Sequence, residues 1–306
     1  MNDYVALTVG VVCAGIGGEL FVWGSVGLAR WMRVPPGIVG ATVSAFATSI
    51  PELSVAVNAA LAGKPDIALG DALGSNVTNI ALILAFAAVI SGIRSPRDSV
   101  KRDFPVALSV PVATGALAFD GVLSRFDGLL MMGLFFAWLW ATIVEARSLR
   151  NSTDKVFGAH RGWPAILSSV VGLGCLIAAG HLVVTGARGI GVTFGIDPFV
   201  IGATIVAIGT TVPELATTTI ATLRGHDEIG LGTILGSNIF NGLFIVAVAA
   251  ILCPIAVRWR EMVVVLVSGF VAVVLAYPAH GGFIARRRGV LLLVVYTVYL
   301  AMILQR

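Results

Sequence analysis

The chain has 306 residues, of which 58% are hydrophobic and only 12% are charged, and its formal net charge is +4. Soluble globular proteins carry about 25% charged residues, so this composition excludes that class and predicts an integral membrane protein. The positive charge does not predict nucleic-acid binding, because the basic residues fall in short segments beside apolar runs.

The apolar runs are long and unbroken, which favours membrane-spanning helices over the alternating strands of a membrane barrel. A helix needs about 20 mostly apolar residues to cross the hydrocarbon layer. Ten such spans are predicted, at residues 5–28, 35–62, 67–91, 104–119, 127–146, 164–187, 198–223, 229–252, 261–277 and 289–305. We therefore predict an all-α integral membrane protein with ten transmembrane helices.

The second and third predicted spans carry polar residues within apolar sequence. Thr48 and Glu52 are four residues apart, so they share a helix face, and Ser49 adds a hydroxyl beside them. Ser75 and Asn79 share a face for the same reason. A charged side chain at the centre of a span costs at least about 2.5 kcal/mol and usually faces the protein interior. One buried carboxylate could still be a purely structural residue.

The seventh and eighth predicted spans repeat this pattern. Residues 202–241 match residues 40–79 at a constant offset of 162 positions, with 19 of 40 positions identical. The polar residues return at equivalent positions, as Thr210, Thr211, Glu214, Ser237 and Asn241. An internal repeat that places a carboxylate in each of two apolar segments predicts a transporter with its site between the repeats.

The repeat divides the chain into two halves. Residues 1–147 form the first predicted five-helix repeat, residues 163–306 form the second, and the polar segment 148–162 links them. Because five spans separate corresponding helices, and five is odd, the second copy is inverted relative to the first. The sequence therefore predicts a 5+5 inverted repeat.

The basic residues predict the orientation of the spans. With the N-terminus placed outside, 14 of the 20 Lys and Arg residues lie in cytoplasmic loops and 6 lie on the outer side. Cytoplasmic loops normally carry this excess. We therefore expect a multi-pass protein of the cell membrane, with both termini outside and the central linker in the cytoplasm.

The repeated residues supply oxygen donors. Pro51 and Pro213 each remove a backbone N–H and free carbonyl oxygens about one turn upstream. Together with carboxylates, hydroxyls and amides, these carbonyls suit hard ions such as Ca²⁺ and Na⁺, whereas zinc and copper prefer His or Cys. Two carboxylates balance the charge of one Ca²⁺, two Na⁺ or two protons. No cofactor is expected beyond the transported ions.

At these residues the sequence resembles the sodium/calcium exchanger family of the cation/Ca²⁺ antiporter superfamily. The resemblance rests on the segments ATSIPEL and GTTVPEL, followed by GDALGSNVTN and GTILGSNIFN. It implies alternating access, in which the first and sixth predicted spans, residues 5–28 and 164–187, slide across a body formed by the other eight spans. It also implies that Glu52 and Glu214 are the central Ca²⁺ ligands and are shared with Na⁺.

The resemblance assigns further ligands by position. It implies that Thr48 and Thr210 give backbone carbonyls to Ca²⁺. The implied contributors to flanking Na⁺ sites are Ala45, Ala207, Ser75 and Ser237. The implied lining of the central region consists of Ser49, Thr211, Asn79 and Asn241.

Several positions depart from the family pattern, which bears on ion selectivity more than on the fold. Ala47 replaces a glycine, and Asp71 and Thr233 stand where asparagine is usual. Asp71 lies four residues before Ser75, so it is a candidate third acid of the cavity. An equally weighted alternative is that Asp71 lies outside the cavity and meets water or a hydroxyl group near the outer part of the third predicted span.

Two further pairs of polar residues occupy equivalent positions in the repeats, and each pair has two alternative roles. Asn76 and Asn238 point away from the shared face, and we expect them to cap a helix break or to pack against the other repeat. Glu19 and His181 lie in helices 1 and 6. They either line the sliding interface or meet neighbours and water near a helix end.

The leading prediction is an antiporter that exports Ca²⁺ in exchange for Na⁺. A proton-coupled Ca²⁺ antiporter stays open, because glutamates can also carry protons. An intramembrane hydrolase would need a nucleophile with a base, or a motif such as H-E-x-x-H, and a passive channel usually gains its symmetry from subunits. The expected partners are the lipid bilayer and the ions, without nucleic acid or a protein partner, so we expect a monomer.

Overall fold

The computed structural model describes residues 2–152, 162–194, 207–278 and 282–305, which are mostly helical. The first half contains α1 (Asp3–Met32), α2 (Pro36–Val39), α3 (Ala45–Thr48), α4 (Ile50–Leu61), α5 (Pro65–Thr78), α6 (Ala85–Ser91), α7 (Arg97–Leu117) and α8 (Arg125–Ser152). The second half contains α9 (Gly162–Thr193), α10 (Ala207–Thr210), α11 (Val212–Leu223), α12 (Asp227–Ile239), α13 (Val246–Leu252), α14 (Trp259–Ala276) and α15 (Arg286–Leu304). Wider π-helical turns continue three of these helices, at Gly40–Ser44, Asn79–Leu84 and Phe240–Ile245.

Seven helices of the described chain are long and apolar enough to cross a membrane. The count becomes eight if Pro36–Thr48 and Ile50–Leu61, which meet at an angle of 45°, form one broken span. The predicted span 104–119 forms α7, but this helix begins with a charged segment and does not reach the same hydropathy. The predicted span 198–223 lies partly outside the described residues, so the count of ten stays a prediction.

The two longest helices, α1 and α9, pack against each other through small residues. A Cβ atom added at Gly17 of α1 would lie 2.8 Å from the Cβ of Cys175 in α9. Glycine permits such a close approach of two membrane helices. The pair also covers α11, because a Cβ atom added at Gly18 of α1 would overlap the side chain of Ile220 in α11.

Two pairs of short antiparallel strands join the halves. β1 (Ile93–Arg94) pairs with β4 (Phe283–Ile284), and β2 (Val122–Leu123) pairs with β3 (Ile255–Ala256). β1 precedes β3 by 162 residues and β2 precedes β4 by 161, so one pairing is the repeat image of the other. These strands show that the internal repeat extends beyond the polar motifs into the three-dimensional structure.

The helices that carry the second polar motif of each half lie at the centre of the molecule. Most residues of the spans Pro65–Ser91 and Asp227–Leu252 are buried, whereas only a minority of the residues are buried in α1, α8, α9, α14 and α15. Side chains of both central spans belong to one apolar cluster that also includes residues from α7 and α14. The outer helices therefore shield a central layer in which polar residues can be held away from lipid.

Candidate functional site

Each repeated glutamate follows a break in its helix. Ser49 separates α3 from α4 with φ −88° and ψ 13°, and Thr211 separates α10 from α11 with φ −90° and ψ 6°. A proline occupies the second position of each new helix, where the absence of an N–H does no harm. The break therefore places Glu52 and Glu214 in the first turn of a helix, where the helix dipole favours negative charge.

Both glutamates are fully buried, with exposed fractions of 0%. Both carboxylate oxygens of Glu52 and Oε2 of Glu214 lack a well-formed hydrogen bond to any residue that the structure describes. The side chain of Thr210 lies beside Glu52. Buried carboxylates are costly when they are unpaired, and oxygen atoms with free acceptor capacity are the groups that hard cations bind.

The two halves meet at these carboxylates. Ser49 Oγ of the first half donates to Glu214 Oε1 of the second half at 3.3 Å. Glu52 and Glu214 are also close enough to interact electrostatically. The two acids therefore belong to one cluster of side chains at the boundary between the repeats.

A backbone carbonyl of the first half adds an oxygen atom beside the acids. Ser237 Oγ donates to the carbonyl oxygen of Ala45 at 3.3 Å, and Thr48 Oγ1 donates to the same oxygen at the same distance. Ser75 is also buried. Ala207 begins α10, but its side chain lies outside the described part of the structure.

Two buried amides complete the set. Asn79 opens one π-helical turn and Asn241 lies inside the equivalent turn of the second half. Asn79 Nδ2 donates to Asn238 Oδ1 at 3.0 Å. Both polar atoms of the Asn241 side chain lack a partner among the described residues. Single π-helical turns are frequent at functional sites.

Asp71 is a third acid close enough to Glu52 to influence it electrostatically. It is half-buried, it interacts electrostatically with Glu52, and its Oδ2 atom is buried without a described hydrogen-bond partner. Its repeat equivalent, Thr233, is fully buried and donates to the carbonyl oxygen of Ile229 at 2.9 Å. The two halves therefore differ in charge at this position.

The described residues contain no group of three His, Cys, Asp or Glu side chains that could together hold a metal ion. A cation between Glu52 and Glu214 would therefore complete its coordination with hydroxyl, amide and carbonyl oxygens. Such a mixed oxygen set is typical of Ca²⁺ and Na⁺ sites rather than of zinc sites.

An ion pair that the sequence did not reveal connects α1 to the end of α11. Arg224 binds the carboxylate of Glu19 through Nε and Nη2, with a shortest distance of 2.7 Å. The repeat equivalents of these residues are His181 and Ala62, which cannot form an ion pair with each other. The two residues are 205 positions apart in the sequence, so no local sequence pattern predicts this contact.

The repeated helices α4 and α11 lie in different environments. Ile50 of α4 is 46% exposed, whereas its equivalent in α11, Val212, is 6% exposed. Asn58 of α4 is likewise exposed, while its equivalent, Ile220, is partly covered by α1. The structure is therefore asymmetric around the buried pair of glutamates, to which each half contributes one residue.

Comparison with known proteins supports the assignment of this chain to one family. A family model described as "Sodium/calcium exchanger protein" matches residues 3–144 and 164–305. CaxA of Alkalimonas amylolytica, which is named as an antiporter, is 35% identical over 258 residues, covering 82% of this chain and 81% of that protein. The sodium/calcium exchanger MaX1 of Methanosarcina acetivorans is 27% identical and the match covers 98% of both chains.

A solved structure gives the same result. The sodium-calcium exchanger NCX_Mj, soaked with 2.5 mM Na⁺ and 0.1 mM Ca²⁺, has a TM-score of 0.84 and 29% identity, with 100% of both chains covered. The family match includes every site residue described above. The chain belongs to the sodium/calcium exchanger family of membrane transport proteins.

Proposed function

We propose that the protein is a secondary antiporter that exports Ca²⁺ in exchange for Na⁺ across the cell membrane. The observation that carries the proposal is the fully buried pair Glu52 and Glu214, which interact electrostatically across the repeats and whose carboxylate oxygens have free acceptor capacity. Their combined charge balances either one Ca²⁺ or two Na⁺, so the ions compete for the same carboxylates. Competition for one site is the simplest way to couple two opposite fluxes.

The ligand set follows from the side chains and carbonyls that meet at this pair. Glu52 and Glu214 supply the charge, and neutral oxygens complete the coordination shells. The proposed neutral contributors are Thr48, Thr210, Ser49, Thr211, Ser75, Ser237, Asn79, Asn241, Ala45 and Ala207. The cross-repeat contacts of Ser49 with Glu214 and of Ser237 with the Ala45 carbonyl support this set.

The proposed architecture is ten transmembrane helices in a 5+5 inverted repeat. Residues 1–147 and 163–306 form the repeats, and residues 148–162 form a cytoplasmic linker. The equivalent helix breaks at Ser49 and Thr211, and the mirrored strand pairs, support the symmetry. The excess of basic residues in the inner loops supports the orientation with both termini outside.

The exchange step is proposed to be movement of α1 and α9 together across the central helices. Their small-residue contact at Gly17 and Cys175 lets them move as one unit. They now cover α11 and leave the equivalent face of α4 exposed. Because the two repeats have similar sequences, the opposite arrangement would cover α4 and expose α11, which gives access from the other side.

A proton-coupled Ca²⁺ antiporter is the second candidate. Asp71 favours it, because a third acid near Glu52 could carry a proton in place of a Na⁺ ion. The antiporter name of CaxA does not specify sodium.

Flux in proteoliposomes separates the two candidates. Purified protein is reconstituted with Na⁺ inside, and ⁴⁵Ca²⁺ uptake is measured after dilution into Na⁺-free buffer of the same pH. We expect uptake that needs the Na⁺ gradient and persists when a protonophore removes any pH gradient. Uptake driven by a pH gradient alone, without Na⁺, would favour the second candidate.

A further inference from the structure

Asp71 continues the line of site residues along α5. Asp71, Ser75 and Asn79 are spaced four residues apart, so they lie on one helix face. Ser75 and Asn79 are buried within the site, and Asp71 lies one turn nearer the beginning of α5. The carboxyl group of Asp71 is close enough to interact electrostatically with Glu52, and its Oδ2 atom is buried without a hydrogen-bond partner among the described residues.

The second half offers no counterpart to this charge. Thr233 occupies the equivalent position in α12 and its hydroxyl is already satisfied by the Ile229 carbonyl. Asp66, the other acid of α5, is exposed in the first turn and lies 3.6 Å from Arg258. Asp71 is therefore the acid of α5 whose charge is free to act on an ion at the centre.

We propose that Asp71 is a selectivity-determining residue, which strengthens binding of a divalent cation at the Glu52–Glu214 pair more than binding of a monovalent cation. The proposal rests on the proposed function of that pair as the exchange site. Coulomb energy is proportional to the charge of the ion. A fixed negative charge beside the site therefore stabilises Ca²⁺ twice as strongly as Na⁺ at the same position.

The proportionality gives a quantitative signature. Half the interaction free energy corresponds to the square root of the fold-change in affinity. If removal of the charge weakens Ca²⁺ binding about fivefold, it therefore weakens Na⁺ binding only about twofold. A residue that merely shapes the helix has no reason to obey this relation. The ratio of the two effects, rather than either effect alone, identifies the electrostatic role.

The test is equilibrium binding of ⁴⁵Ca²⁺ to the purified full-length protein at pH 8, with Na⁺ as competitor. Asp71→Asn removes the charge at nearly constant volume, and Asp71→Thr copies the residue of the second half and serves if the first variant does not fold. We expect a weaker Ca²⁺ affinity by about fivefold and a weaker Na⁺ affinity by about twofold. Asp71→Glu keeps the charge and is expected to restore most of the affinity, and Asp66→Asn is the matched control that should change neither constant.

Each outcome decides the proposal. Unchanged affinities in Asp71→Asn, or equal fold-changes for Ca²⁺ and Na⁺, would overturn it. A wild-type protein in which Na⁺ does not displace Ca²⁺ would instead contradict the proposed function, so the two failures are distinguishable.

Discussion

Asn76 and Asn238 exchange a matched pair of hydrogen bonds, since each side-chain Nδ2 donates to the backbone carbonyl oxygen of the other residue at 3.0 Å. The two residues are 162 positions apart, which is the offset of the internal repeat. The pair therefore joins equivalent positions of the two repeats. It fixes α5 against α12 one residue away from Ser75 and Ser237, and it confirms the expectation that these asparagines pack against the other repeat.

Removal of this pair should destabilise the protein. Asn76→Ala loses one buried hydrogen bond and removes a donor from the buried carbonyl oxygen of Asn238, for about 1–3 kcal/mol. Asn238→Ala should be worse, because Asn238 also accepts a hydrogen bond from Asn79. Thermal unfolding of the detergent-solubilised variants measures both effects. Equal midpoints for wild type and Asn238→Ala would contradict the prediction, and Asn58→Ala, on the exposed face of α4, is the control.

Ser49→Ala should weaken Ca²⁺ binding without unfolding the protein. Ser49 orients Glu214 from the opposite repeat through its hydroxyl group. The loss of this bond is worth about 1 kcal/mol, or roughly fivefold in affinity. Ser54→Ala is the matched control, because Ser54 lies on the exposed face of α4. An affinity in Ser49→Ala equal to that of the control would show that the cross-repeat bond does not position the carboxylate.

The ion pair between Glu19 and Arg224 should favour the arrangement seen here, in which α1 covers α11 and α4 is open. Glu19→Gln should therefore shift the population toward the opposite arrangement and slow the labelling of Asn58→Cys by a water-soluble thiol reagent. The effect should be modest, because the pair is exposed. The exchanged variant Glu19→Arg with Arg224→Glu should restore the labelling rate. A rate that is the same in all three proteins would leave the ion pair without a conformational role.

The orientation can be tested with single cysteines after replacement of Cys13, Cys175 and Cys253, which are all free. Ser152→Cys, at the end of α8, should resist an impermeant thiol reagent in intact cells and react in inverted vesicles. Gln305→Cys should show the opposite behaviour, because the C-terminus is predicted to be outside. Labelling of Ser152→Cys in intact cells would reverse the proposed orientation.

The sequence predicted the parts of this structure that are encoded locally or repeated. The 162-residue offset predicted two equivalent apolar segments, each with a carboxylate directly after a proline. The helix breaks at Ser49 and Thr211 were not predicted. The four-residue spacing of Ser75 and Asn79 predicted their shared face. These features depend on helix geometry alone, so one chain segment is enough to infer them.

Contacts between distant segments were not predictable in the same way. The strand pairs, the Glu19–Arg224 ion pair and the bond from Asn79 to Asn238 join residues more than 130 positions apart. No local pattern specifies such partners. The position of Asp71 was open for a similar reason, because helix periodicity gives the face of a residue but not its distance from a residue on another helix.

Equilibrium binding of ⁴⁵Ca²⁺ to wild type, Glu52→Gln and Glu214→Gln tests most directly whether the two halves share one exchange site. We expect wild type to bind one Ca²⁺ per chain, Na⁺ to displace it, and either substitution alone nearly to abolish binding while the protein stays folded. Two Ca²⁺ per wild-type chain, with one retained at full affinity in each single variant, would contradict the shared site and show instead that each repeat binds its own ion.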